Sequence, residues 1–267
     1  LQYHEVKFNI SFRQASECYI TSTGSAPTSG TPAITNASLY IDYVYLDTDE
    51  RRQFAQVQHE YLIEQLQFTG DESFSNSSVK SKLALNHPCK ELVWVLQLDS
   101  NVSGGANRWA DYTDSATDTG SFYTGSDTLV DAKLQLNGHD RFATRAATYF
   151  NVVQPYQHHT RCPATGIYVY SFALNPEQHQ PSGTVNMSRI DNATLLLNLS
   201  TSTAPVKLRV YAVNYNVLRI MAGELPSRQQ EYIHKTNMLV ECFWLCHKYF
   251  ATLSNCGDIL RAFTTTL

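Results

Sequence analysis

From Val130 to Leu136 the chain alternates apolar and polar residues: Val130, Ala132, Leu134 and Leu136 against Asp131, Lys133 and Gln135. Period-two alternation marks a strand with one buried face, and it constrains this chain more than any other feature. It is clear again over 4–12, where Val6, Phe8, Ile10 and Phe12 alternate with Lys7, Asn9 and Ser11. Further apolar runs at Leu39–Leu46, Leu62–Phe68, Val79–Leu85, Glu91–Leu98, Ile167–Leu174, Ala193–Leu199 and Val206–Leu218 read as strands between polar breaks. Glu91–Leu98 (ELVWVLQL) is apolar on both faces and is expected to be covered on both sides. Many strands, long polar loops and almost no helix predict an all-β fold, an antiparallel sandwich of the jelly-roll kind.

The one clear helical signal is at 47–61. Asp47 with Glu50 three residues on forms a capping-box pattern, and Phe54, Val57 and Tyr61 recur at helical spacing. This stretch is read as a connector between two β units. Asn137–Gly138 predicts a tight hairpin turn after the 130–136 strand. The mixed pattern of 141–153 allows one short helix. The Gly/Ser/Thr/Asp-rich stretch 99–127, which holds Trp109, Tyr112, Phe122 and Tyr123, is longer than most loops in compact domains and is expected to be functional.

Composition removes several function classes. The chain has 267 residues, enough for a sizeable core, and a net charge of −4 with no basic stripe, against direct nucleic-acid binding. No apolar run reaches the length of a membrane-spanning helix, so no transmembrane segment is expected. Charged residues make up 16%, low enough to fit a protein whose surface is largely covered by partners. The six cysteines are too sparse for a disulfide scaffold and are expected to be free thiols.

Several separate blocks carry a family resemblance: LQYHEVKFNI (1–10), DYVYLDTDERRQFAQ (42–56), HEYLIEQLQ (59–67), NHPCKELVWVLQ (86–97), NGHDRF (137–142), YFNVVQPYQHHT (149–160) and the run 166–195. In order and spacing they resemble the major capsid proteins of nucleocytoplasmic large DNA viruses, as found in viruses of algae and other protists. The resemblance covers about 1–222. It implies a double jelly roll, with residues 1–46 as the last strands of a first jelly roll that begins upstream of Leu1. It further implies a connector helix at 47–61, a second jelly roll over 62–222, and a homotrimer that meets neighbouring capsomers and minor capsid proteins in a virion shell. Residues 223–267, whose character changes at Glu224, have no counterpart in the family; a shifted reading frame, a misjudged gene end and a true appendage all fit them.

Catalysis would require converging acid, base or nucleophile. His158–His159 could be read as metal ligands, but adjacent residues on a strand face opposite sides. Cys242, Cys246, His247 and Cys256 are only loosely zinc-like in spacing. No phosphate-binding loop, nucleophile elbow or H-E-x-x-H motif is present. The expectation is therefore no catalytic residue, no metal and no cofactor. Among the Asn-x-Ser/Thr sequons, Asn76 and Asn101 are read as the exposed ones, open to glycosylation. The 99–127 aromatics Trp109, Tyr112, Phe122 and Tyr123 are read as an assembly or display loop. The alternative is a carbohydrate-binding jelly-roll module that uses the same loop as its site.

Overall fold

The computed structural model describes residues 8–12, 33–103, 108–115, 125–200 and 205–220. These fall into two units, one holding 8–12, 33–61 and 217–220, the other the described part of 62–216.

In the first unit, helix α1 spans Thr48–Gln56, with the Asp47 side chain accepting from the Thr48 amide at 2.7 Å. The first intrahelical bond runs from Arg51 N to Asp47 O at 2.9 Å. Asp47 is therefore the N-cap as predicted, bonded to the Thr48 amide and not to that of Glu50 as in a capping box, and the helix is shorter than the predicted connector. It stops at a C-cap on Val57, and strand β1 begins at His59, so Tyr61 lies on a strand. The predicted strand Leu39–Leu46 does not form: the segment pairs with nothing among the described residues, and its side chains are exposed, Tyr45 by 89%. A strand is a ladder, and without a neighbour its backbone groups turn to solvent whatever its apolar content. Residues 8–12 likewise carry no strand.

Ten strands build the sandwich, all in the second unit but for the start of β1 and the end of β10: β1 His59–Phe74, β2 Ser78–Leu83, β3 Pro88–Leu98, β4 Leu129–Leu136, β5 His139–Asp140, β6 Arg145–Ala146, β7 Ile167–Ser171, β8 Val185–Asn186, β9 Ala193–Leu199 and β10 Val206–Ile220. One sheet has the order β1-β10-β3-β7, with β8 also on β3; the other has β2-β9-β4-β5, with β6 also on β4. Strands β7 and β8 share one flank of β3, and β5 and β6 share one flank of β4. That leaves four strand positions per sheet, and the chain crosses repeatedly from one sheet to the other, the jelly-roll arrangement.

Alternation explains the core. Leu92, Trp94, Leu96 and Leu98 of β3 face Leu195, Leu197 and Leu199 of β9 and Ala132 and Leu134 of β4 in one buried cluster. Trp94 meets Phe150 edge-on at 5.1 Å and lies 6.0 Å from Tyr168. The opposite face of β3 is covered too: Val95 packs with Tyr112 and Ile167 in a second cluster, as the two-sided apolar pattern of Glu91–Leu98 predicts.

Two bulges redirect side chains. In β4 the partner register jumps between Leu129 and Asp131, so Val130 is unpaired and 50% exposed instead of joining Ala132 and Leu134 inside. In β3 the register passes from Glu91 to Cys89, leaving Lys90 as the extra residue. The hairpin between β4 and β5 turns on Asn137 (φ 51°) and Gly138 (φ 81°), both left-handed as the predicted tight turn requires. The helix allowed within 141–153 is present at its end: one π-helical turn, Tyr149–Val153, runs on into a short α-helix, Gln154–His158. Strand β7 stops at Ser171 because the amides of Phe172 and Ala173 turn to the Lys90 carbonyl, at 2.8 and 3.2 Å.

Candidate functional site

The long connection from β3 to β4 is the first candidate, and its described part around Tyr112 lies on the outer face of the β1-β10-β3-β7 sheet. Tyr112 is 1% exposed and fills the space over Val95 and Ile167. A polar chain fastens the connection to the strands. Arg209 of β10 grips Asp71 of β1 with two bonds, Nε to Oδ1 at 2.9 Å and Nη2 to Oδ2 at 3.1 Å. Its Nη1 donates to Gln97 Oε1 at 2.9 Å, and Gln97 Nε2 donates to the Trp109 carbonyl at 2.8 Å. The hydrogen bond from Arg209 holds the Asp71 carboxyl below its ordinary range, against a smaller opposing push from burial.

The connection itself holds a buried polar knot. Arg108 donates through Nη2 to Asn101 Oδ1 and to the Ser115 carbonyl, and its Nε lies 3.7 Å from Asp111 Oδ2. Asp111 Oδ1 accepts from the Thr113 amide at 3.0 Å and from its hydroxyl at 2.7 Å. At the far end Asp127 Oδ1 accepts from Tyr168 O–H at 3.1 Å and from the Gly166 amide at 3.3 Å. Burial, chiefly, raises the Tyr168 phenol far above its usual range, so it stays protonated and keeps donating. Gly166 has φ 88°, and the Tyr112 backbone occupies the place where a Cβ would stand. Charges this deep persist only when paired, and the buried Arg108 and Asp111 are partners to each other.

The sequence-derived site residues separate accordingly. Tyr112 is a packing residue, and Trp109 is half-buried and bonded through its carbonyl. Tyr112 offers no open aromatic face for sugar stacking, which weakens the carbohydrate-binding alternative; Phe122 and Tyr123 lie outside the described residues. Asn76 is exposed in the β1–β2 turn. Asn101 is a correction: it is fully buried, its amide donating to the Asp111 carbonyl at 3.3 Å. Its polar neighbours in sequence suited a surface loop, but the knot with Arg108 and Asp111 draws it inside. The sequence reading missed Arg108, Gln97 and Arg209; the i,i+3 pair Arg108–Asp111 was the one local signal for them.

The two adjacent histidines diverge. His158 Nδ1 donates to the Leu174 carbonyl at 2.9 Å, and His159 Nε2 donates to Glu91 Oε2 at 2.8 Å. Among the described residues no three His, Cys, Asp or Glu side chains gather as a metal site would need, and no helix is long and apolar enough to cross a membrane. Cys89 and Cys162 are free thiols; Cys242, Cys246, His247 and Cys256 lie outside the described residues.

Known proteins place this geometry in context. The profile of the large eukaryotic DNA virus major capsid protein matches residues 50–225, and that of the major capsid protein N-terminus matches 1–47. The major capsid protein of Phaeocystis pouchetii virus is 45% identical, over 84% of this chain and 60% of the relative. That of Pyramimonas orientalis virus is 50% identical, over 84% of this chain and 54% of the relative. Among solved structures, the quasi-atomic PBCV-1 virus capsid aligns with a TM-score of 0.57 at 39% identity, covering 68% of this chain and 54% of that one. The chain thus spans between 54% and 60% of the length of these three proteins.

Proposed function

The chain belongs to the family of large eukaryotic DNA virus major capsid proteins, and from that premise we propose that it is a structural, non-enzymatic part of a viral shell. In this reading it self-associates into homotrimers of pseudo-hexagonal outline that tile an icosahedral capsid, meeting neighbouring capsomers and minor capsid proteins in the virion. Residues 62–222 make up the second jelly roll, 1–46 belong to the end of a first, in line with the match of 1–47 to the major capsid protein N-terminus, and 47–61 connect them. The observation that carries the reading is the family match over 50–225 on a jelly-roll strand order.

The seated β3–β4 connection supports it in physical terms. A shell repeats one contact many times, so a surface segment is useful when it has one conformation. Burying Tyr112 and pairing Arg108, Asp111 and Arg209 fixes the described part of this segment around 108–115. The exposed Asn76 sequon is the position proposed for a glycan. Native mass measurement on the purified chain tests the assignment. A stable trimer is expected; a monomer that binds glycan or metal would overturn it.

A further inference from the structure

Asn137–Gly138 is the only Asn–Gly pair in the chain, and it forms the two-residue loop between β4 and β5. All four residues from Asn137 to Asp140 are exposed. The Gly138 amide has no hydrogen-bond partner among the described residues, and a Cβ built on Gly138 would meet nothing within 4 Å. Asn137 is held at its backbone and at Oδ1: its amide donates to the Asn192 carbonyl at 2.7 Å, and the Asn192 amide donates to Asn137 Oδ1 at 3.1 Å. A side-chain carbonyl thus stands one residue from an unhindered backbone nitrogen, where proximity favours ring closure. Other asparagines lack this combination. The buried Asn101, Asn151 and Asn214 precede the bulky Val102, Val152 and Tyr215, and exposed Asn175 precedes Pro176, which has no N–H.

We propose that Asn137–Gly138 is a self-modification site, at which the folded chain slowly deamidates and its β4–β5 hairpin is rebuilt. The Gly138 nitrogen bonds to Asn137 Cγ and gives up its proton; the Cγ–Nδ2 bond breaks, and Nδ2 leaves with that proton as ammonia. Water then opens the cyclic imide at either carbonyl, leaving an aspartate in the ordinary linkage or one joined through its side-chain carboxyl. In the closed turn Asn137 has φ 51° and its Oδ1 is tied to Asn192, so the attack waits on opening of the turn. That opening is local, because β5 is only two residues long and lies exposed. The ordinary product adds a negative charge to a turn that already holds Asp140. The iso-linked product lengthens the backbone by one carbon, so a two-residue loop can no longer set Leu136 opposite His139. The bond from the Arg141 amide to the Leu134 carbonyl, 2.9 Å long, is then lost with the hairpin. The chemistry needs no partner and does not depend on capsid assembly.

Tryptic mapping of the folded full chain, aged at mildly alkaline pH, tests it. Cleavage after Lys133 and Arg141 isolates Leu134–Arg141. That peptide should gain about one dalton, split into two chromatographic forms, and do so before the peptide holding exposed Asn76–Ser77. One form should accept a methyl group from an isoaspartate methyltransferase. Gly138→Ala, whose methyl group crowds the attacking nitrogen, should hold its mass over the same time, with a thermal melt to show that it folds. Hydrogen exchange of the iso-linked fraction should show the Arg141 amide unprotected. If the urea-unfolded chain converts while the folded chain does not, the native turn never opens and the proposal fails. It fails equally if Asn76 converts first, or if Gly138→Ala gains mass as fast as the wild type. An Arg141 amide still protected in the iso-linked fraction overturns the rebuilding of the hairpin.

Discussion

Asp71 illustrates how much one residue's partner matters. With its carboxyl held below the ordinary value of 3.8 by the Arg209 hydrogen bond, it adds stability that is fully present above that value. The contribution is lost as pH falls through the lower, folded-state value. Asp140, held down by Gln135 and Lys133, adds to the same acid window. Unfolding midpoints measured from pH 6 to pH 2 should therefore fall less steeply in Asp71→Asn than in the wild type below about pH 4. Because Asp71 is 44% exposed, solvent screening limits the difference to less than about 1 kcal/mol. Identical slopes would mean that the clamp is electrostatically idle. Cys89 gives a chemical counterpart: burial pushes its thiol up to about 12, against a weaker effect of the hydrogen bond to the Glu91 carbonyl. At pH 8 iodoacetamide should label the exposed Cys162 in the folded protein and reach Cys89 only after unfolding. Peptide mapping that finds Cys89 alkylated first would contradict its burial.

Among the elements, the described part of the β3–β4 connection takes its form from non-local contacts with the strands below it. Gly138 and Gly166 separate backbone strain from crowding, since both have positive φ but only Gly166 faces another backbone. Gly138→Ala should cost about 1 kcal/mol. Gly166→Ala adds a clash with Tyr112 and should cost about 3 kcal/mol, with faster proteolysis within 99–128. Equal urea midpoints for the two variants would show that Tyr112 does not sit where described. Arg108→Met strips the counter-charge from the buried Asp111 and should destabilise by about 3 kcal/mol. Adding Asp111→Asn should recover part of that loss, because the uncompensated charge is then gone. Local pattern alone located β9 at both ends and the Asn137–Gly138 turn, since alternation and left-handed φ are properties of neighbouring residues. It placed Val130 inside, because a bulge is set by the partner strand. It read Asn101 as exposed, because an asparagine among small polar residues shows nothing of the arginine that will fold over it.

On the scale of the whole molecule, the strand order matters more than any single strand. Sheets of order β1-β10-β3-β7 and β2-β9-β4-β5 bring residues far apart in sequence into one core, so folding is governed by long-range pairing. If copies associate as proposed, the thermal midpoint should rise with protein concentration, since association stabilises the folded state by mass action. A midpoint unchanged over a hundredfold dilution would mean that the folded chain stands alone. By itself the sequence determined the all-β class, most strand positions, the capped helix at Asp47 and membership of a capsid family, because these follow from periodicity, capping chemistry and ordered motif blocks. Only the tertiary structure decided that Leu39–Leu46 finds no pairing partner among the described residues, that Tyr112 packs inward while Tyr156 and Leu174 stand out, and which charges meet. Apolar character states that a residue gains by burial, but what it is buried against is a property of partners distant in the chain.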